Sequence, residues 1–194
     1  MLPVLPWTGG IAGYQVGEQM RHIRDFYRYN SETRKKYLDV IDSLPWAEVI
    51  RDRGASFPSI RDVFLHILDA YRYWLEYGLK DNLSGYRRTD RDRFKNPADI
   101  REYEQAVDSM VEGVVGNLRE QDLTRVYEIH EPNETMQVTM EAILMHMIEE
   151  ELQHRGEINC MLWQQGIDPP TTDFIEWLKV KTNAELGQPA TSRQ

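Results

Sequence analysis

Between Glu18 and Leu44, apolar and aromatic residues recur every three or four positions, at Ile23, Phe26, Tyr27, Tyr37, Leu38 and Ile41, with Arg, Lys and Glu between them. A repeat near 3.6 residues places those side chains on one stripe of a helix. Pro45 ends it, because the residue before a proline is pushed out of helical geometry. Ahead of this helix, residues 1–17 contain four glycines and no sustained period, which reads as an irregular arm. A second helix is expected from Ser59 to about Leu79. Ser59 is placed to cap it, and Asp62 brings a negative charge to the first turn, where the helix dipole favours one. One face of this helix carries Val63, His66, Ala70, Tyr73, Trp74 and Tyr77, with Asp69 at its margin.

A third helix is predicted from Pro97 to about Glu120, behind an Asn96 cap and with proline at the first position, where its missing N–H costs little. Gly113 and Gly116 lower its propensity and would leave room for another helix to come close. From Leu123 to Thr139 the period drops to two, broken around Pro132-Asn133-Glu134, so a short hairpin or an extended connection is expected. The fourth helix runs from Thr139 to Gln165 and stops at Gly166 and Pro169-Pro170. A short helix from Asp173 to Lys179 follows, carrying Phe174, Trp177 and Leu178, and residues 181–194 turn polar. The pattern predicts an all-α four-helix bundle over residues 18–180, with a short C-terminal helix and an irregular or hairpin connector before the last long helix. A chain of 194 residues, 41% of them hydrophobic, suits one domain with one core.

Charge narrows the choice of partners. The net charge is −9, and the one arginine-rich run, Tyr86-Arg87-Arg88-Thr89-Asp90-Arg91-Asp92-Arg93, interleaves acids among Gly and Asn. A solvated loop fits it better than a nucleic-acid groove, so no nucleic-acid partner is expected. Cys160 is the only cysteine, which rules out an intramolecular disulfide and suits a reducing cytoplasm. No signal-peptide pattern and no apolar run approaching the ~18 residues of a bilayer span is found, so a soluble cytoplasmic protein with no membrane partner is expected.

The candidate chemistry lies on the fourth helix. His146, Glu150 and His154 follow one another at four-residue steps and form one stripe, about 6 Å of rise per step. A Glu and a His one turn apart can share an ion, whereas two histidines about 12 Å apart along the axis cannot do so unaided. That leaves Glu150 with His154, or His146 with Glu150, and a third ligand from another helix, for which His66 is the best supplier. Taken alone, His66 reads as a core histidine bonded to a carbonyl, His22 as a surface or core-edge histidine, and His130 as exposed. Arg155 reads as a solvated charge, Asp69 as either a surface ion or an acceptor orienting an imidazole, and Cys160 as a packed, inert thiol.

From about Gln19 to Lys179 the chain resembles the DinB/YfiT-like superfamily of four-helix bundles. The resemblance rests on Tyr29-Asn30, on Ser59 followed by His66-Ile67-Leu68-Asp69 and Trp74, on His154-Arg155-Gly156-Glu157-Ile158, and on Gly166-Ile167-Asp168-Pro169-Pro170. It implies a divalent metal held by one histidine of the second helix and an HxxxH pair of the last. His66 matches the first ligand and His154 the last, while Glu150 stands where the middle histidine is usual. The implied site is therefore two histidines and one carboxylate, a set that suits Zn, Ni, Fe or Mn. The resemblance also implies a homodimer and a metal-dependent enzyme acting on a small-molecule substrate, of hydrolase or thiol-dependent transferase type, the latter with a low-molecular-weight thiol. The rival is a non-catalytic dimeric helical module that has lost the metal and keeps the three residues as a buried polar network.

Overall fold

A computed structural model describes residues 18–131 and 133–185. The expected N-terminal arm, the turn residue Pro132 and the end of the polar tail lie outside the described residues. Four long helices make the body: α1 (Glu18–Ser43), α3 (Ile60–Tyr71), α4 (Pro97–Asn117) and α5 (Met140–Trp163). A short α2 (Trp46–Val49), too brief to leave a period in the sequence, follows Pro45, and α6 (Phe174–Glu185) closes the chain. Strands β1 (Val126–His130) and β2 (Thr135–Thr139) pair antiparallel, with Ile129 opposite Met136. The hairpin expected before the last long helix is present.

The helix starts follow from local chemistry. The Ser59 side chain accepts from the Asp62 N–H, Asn96 and Asp99 form a reciprocal capping box, and Thr139 accepts from the Ala142 N–H. Gly166 takes a left-handed φ of 71° just past α5, where a side chain would be strained. In cross-section α1 packs against α4 and α5, and α3 also packs against α4 and α5, so α1 and α3 stand diagonally. The core draws on all four long helices, through Ile23, Leu38 and Ile41 from α1, Phe64 and Leu68 from α3, Val107 and Val111 from α4, and Leu144, Met147 and Ile158 from α5.

Three details depart from the sequence reading. The second long helix does not remain regular to Leu79; beyond Tyr71 it widens into a π-type turn (Arg72–Tyr77), a local insertion that periodicity does not register. Among the described residues, nothing lies within 4 Å of where a Cβ of Gly113 or Gly116 would stand, so these glycines do not serve a close helix approach. The last helix also extends to Glu185, six residues beyond Lys179. Its Phe174 ring stacks on Phe26 at 4.1 Å, and Trp177 meets Tyr29 edge-on, which fixes α6 to the outside of α1.

The bundle interior also holds charge. Arg34, on α1, is 1% exposed. Its Nη1 donates to Glu151 Oε2 at 2.6 Å, its Nη2 to Asp108 Oδ1 at 2.9 Å, and its Nε lies 3.4 Å from Glu104 Oε1. The Tyr71 hydroxyl donates to the same Glu151 oxygen at 2.6 Å. Burial works against a charged guanidinium, yet Glu151 and its neighbours hold Arg34 above its ordinary pKa. Arg155, read from sequence as a solvated charge, is buried with its guanidinium 5.1 Å from the centre of the Tyr29 ring. The short apolar spacing around it gave no sign that it pointed inward.

Candidate metal centre

The adjacency of α3 and α5 brings His66 to the stripe on α5. His66 Nε2 lies 3.6 Å from Glu150 Oε2, and His154 Nε2 lies 3.3 Å from the same oxygen. One ligand-type atom from each of the three residues falls within 4.8 Å of the others. A tetrahedral site with metal–ligand bonds of about 2.1 Å spaces its donors about 3.4 Å apart. A good N–H···O hydrogen bond is shorter, about 2.7–3.2 Å. The spacing thus matches donors that share an ion more closely than a hydrogen-bonded pair.

His154 is aimed by a residue that the sequence reading did not single out. Its Nδ1 lies 3.1 Å from Glu157 Oε1, and the other oxygen of Glu157 accepts from the Ser56 hydroxyl at 2.8 Å. A carboxylate can only accept, so this contact keeps the proton on Nδ1 and leaves the Nε2 lone pair toward Glu150. The i, i+3 spacing of His154 and Glu157 was available in the sequence, but that interval is equally common on plain solvated faces. The His154 side chain is 6% exposed, and that of Glu150 is 23% exposed. The His66 ring stacks on Phe57 at 4.1 Å and meets the His154 ring edge-on at 4.4 Å. Burial, helped by the neighbouring His154 and opposed by Glu150, holds the His66 imidazole below its ordinary pKa, so it presents a neutral nitrogen. Two imidazole nitrogens and a carboxylate oxygen converging on one point are a donor set of the kind that coordinates a cation. The residues therefore fit a divalent metal.

The other sequence candidates fall in different places. His146 stands one turn away, 40% exposed, with Nε2 3.9 Å from the second Glu150 oxygen and its ring edge-on to Trp74. With Glu149 and Glu150 it forms an outer ligand-type group. Asp69 is buried, and its hydrogen bonds go away from the imidazoles: it accepts the Thr89 N–H at 3.0 Å, the Thr89 hydroxyl at 2.5 Å and the Tyr103 hydroxyl at 2.7 Å. His130 is exposed and pairs with Asp81, and His22 is exposed. Cys160 is exposed where a packed thiol was expected, because α5 turns that edge outward. Among the described residues, no helix is long and apolar enough to cross a membrane.

Comparison with known proteins agrees with this architecture. The chain is 25% identical over 157 residues to Protein DinB of Bacillus subtilis (strain 168), an overlap of 76% of this chain and 88% of that one. The crystal structure of a DinB-like protein from Bacillus cereus ATCC 10987 superposes with a TM-score of 0.59 at 20% identity, covering 82% of this chain and 99% of that one. A second DinB-like protein, YjoA of Bacillus subtilis, gives a TM-score of 0.53 at 18% identity, over 80% and 97% of the two chains. At those identities the solved structures speak for the fold alone. The DinB family model matches residues 18–187, the whole bundle together with α6, and the chain belongs to the DinB family.

Proposed function

We propose that His66, Glu150 and His154 hold a divalent metal at an enzyme-type site that acts on a small molecule, as a metal-dependent hydrolase or a thiol-dependent transferase using a low-molecular-weight thiol. The observation that carries this reading is the approach of two imidazole Nε2 atoms to one carboxylate oxygen at 3.6 and 3.3 Å. A bound ion there would supply Lewis acidity to activate a water or a thiol toward an electrophile. The protein's own part is preorganisation. Glu157 fixes the His154 tautomer, Phe57 holds the plane of His66, and the neutral His66 needs no deprotonation before it binds. Glu150 gives the set one hard anionic donor, which favours Zn, Fe or Mn relative to a three-histidine set and leaves Ni accessible. The test is elemental analysis of protein purified without chelators or affinity metals. About one transition-metal ion per chain, lost in His154→Ala, is expected. Wild-type protein that stays metal-free after reconstitution would favour the rival, a non-catalytic module.

The same reading includes a homodimer and a cytoplasmic setting. Met145, Leu152 and Trp163, 51, 47 and 59% exposed, fall on one strip of α5 with Gly156 among them. A two-fold axis level with His154 would set Leu152 over the Gly156 of a second copy, and Met145 against its Trp163. Such a self-complementary strip is what an isologous interface requires. Among the described residues, no atom lies within 4 Å of a would-be Cβ on Gly156, which leaves the notch open. Light scattering on sized protein should give a dimer, and Leu152→Glu a folded monomer; monomeric wild type at micromolar concentration overturns the dimer.

A further inference from the structure

Glu150 offers two oxygens, and the structure gives them different neighbours. Oε2 faces the Nε2 atoms of His66 and His154, whereas Oε1 faces Nε2 of His146 at 3.9 Å. The Nδ1 atom of His146 in turn stands 3.9 Å from Glu149 Oε2. One ligand-type atom from each of His146, Glu149 and Glu150 lies within 4.8 Å of the others. The sequence admitted His146 as an alternative ligand of a single ion. In the folded chain it belongs to a second group, and Glu150 is common to both.

Neighbours at i, i+3 and i, i+4 approach one another on any helix, so their proximity alone decides nothing. Three further observations do. Among the described residues, no Lys or Arg pairs with Glu149 or Glu150, whose ion-pair neighbours are all histidines. Two adjacent carboxylates without a lysine or arginine, in a chain of net charge −9, attract a divalent cation. The His146 ring is also braced from the neighbouring helix, where Trp74 meets it edge-on at 5.2 Å. Finally, the His146 and Glu149 side chains are 40 and 64% exposed, which leaves room for the water ligands that hard cations keep.

We propose that His146, Glu149 and Glu150 hold a second divalent cation, bridged to the first through the Glu150 carboxylate. The proposal rests on the reading of His66, Glu150 and His154 as a metal centre and narrows its chemistry. One imidazole and two carboxylates form a harder set than the inner one, so it suits Mn or Mg better than Ni. Ions paired in a two-metal site stand about 3.5–4 Å apart, a spacing that clamps both the attacking and the leaving oxygen of a displacement. That selects the hydrolase branch over thiol transfer, with an ester of a carboxylic or phosphoric acid as substrate. Water adds its hydroxyl to the acyl or phosphoryl centre as the bond to the leaving oxygen breaks, and its proton goes to that oxygen. The outer set is the more exposed and gives up its ion first, so protein purified without added metal keeps about one.

The test is titration of the full chain, exchanged into Mn²⁺ by dialysis, with calorimetry and electron paramagnetic resonance read together. Expected are about two Mn²⁺ per chain, the second with a Kd below about 1 mM, and an exchange-coupled signal when both are bound. His146→Ala should keep the first ion and lose the second together with the coupling. Glu149→Gln, a change on the exposed surface, should weaken the second ion about tenfold or more. Glu112→Gln, an exposed carboxylate on α4, diagonal to α5, should change neither. A single ion at saturation, a second ion without coupling, or a second ion retained in His146→Ala overturns the bridged pair and leaves the inner centre standing. An equal loss in Glu112→Gln does the same, since it reports binding to net charge alone. No ion at all refutes the inner centre and the pair with it, and so does a lone ion that is lost in His146→Ala but kept in His154→Ala.

Discussion

Glu157 Oε1 lies 3.1 Å from Nδ1 of His154, so a carboxylate one helical turn away decides which imidazole nitrogen is left to bind. Replacing it removes the acceptor without touching a ligand. Glu157→Leu should weaken metal binding about 10- to 100-fold, the usual cost of a lost outer carboxylate. Chelator competition measures this, and an unchanged affinity would mean that His154 is oriented by packing alone. Ser56→Ala, which removes only the bond to the far oxygen of Glu157, should have a smaller effect.

Glu150 sets the character of the site. Glu150→His should keep about one ion per chain while shifting preference away from Mn and toward Ni or Zn, because imidazole is the softer donor. Glu150→Leu should abolish binding. Competition titrations with the four metals provide the readout, and equal retention in both variants would show that Glu150 is not a ligand.

Arg34 and Glu151 form a buried pair whose single disruption strands a charge. Arg34→Met should cost about 3–5 kcal/mol in denaturant unfolding, since Glu151 is then left in the core with only the Tyr71 hydroxyl and the longer, 4.0 Å contact to Arg155. Adding Glu151→Leu should restore part of that loss, because it removes the stranded carboxylate but also takes the neighbouring carboxylate from Arg155. Non-restoration would locate the cost in packing.

Glu104 carries a pH signature. Burial raises its pKa above the ordinary carboxylate value, with Arg34 opposing, and its Oε2 has no partner. The native state therefore holds a proton that the unfolded chain releases, so this residue favours folding below the unfolded pKa. That contribution fades as pH rises through the folded one. Glu104→Gln lacks the titration, so its stability relative to wild type should grow as pH rises above the ordinary Glu pKa of about 4.3. Urea midpoints at a series of pH values check it, and a constant difference would remove Glu104 from the acid response.

Much of the frame could be read directly. The 3.6-residue spacing of Ile23, Tyr27, Leu38 and Ile41, the caps at Ser59, Asn96 and Thr139 and the stop at Gly166 are local features, and local sequence sets them. His66, Glu150 and His154 could be nominated because ligand residue types recur at one-turn spacing and the family resemblance supplied the third. Arg155, Asp69 and Cys160 were misread or undecided for one reason. Each sits at the border of a helical stripe, where a shift of some tens of degrees exchanges solvent for core.

The sequence alone determined where the long helices begin and which residue types could form a site, since both depend on contacts within a few positions of each other. Tertiary structure decided the rest. Standing α3 beside α5, and not across from it, put His66 within 3.6 Å of Glu150, turned Asp69 toward Thr89 and drew the arginine loop against the bundle. Helix adjacency is set by the summed packing of every core side chain, and no local pattern encodes that sum.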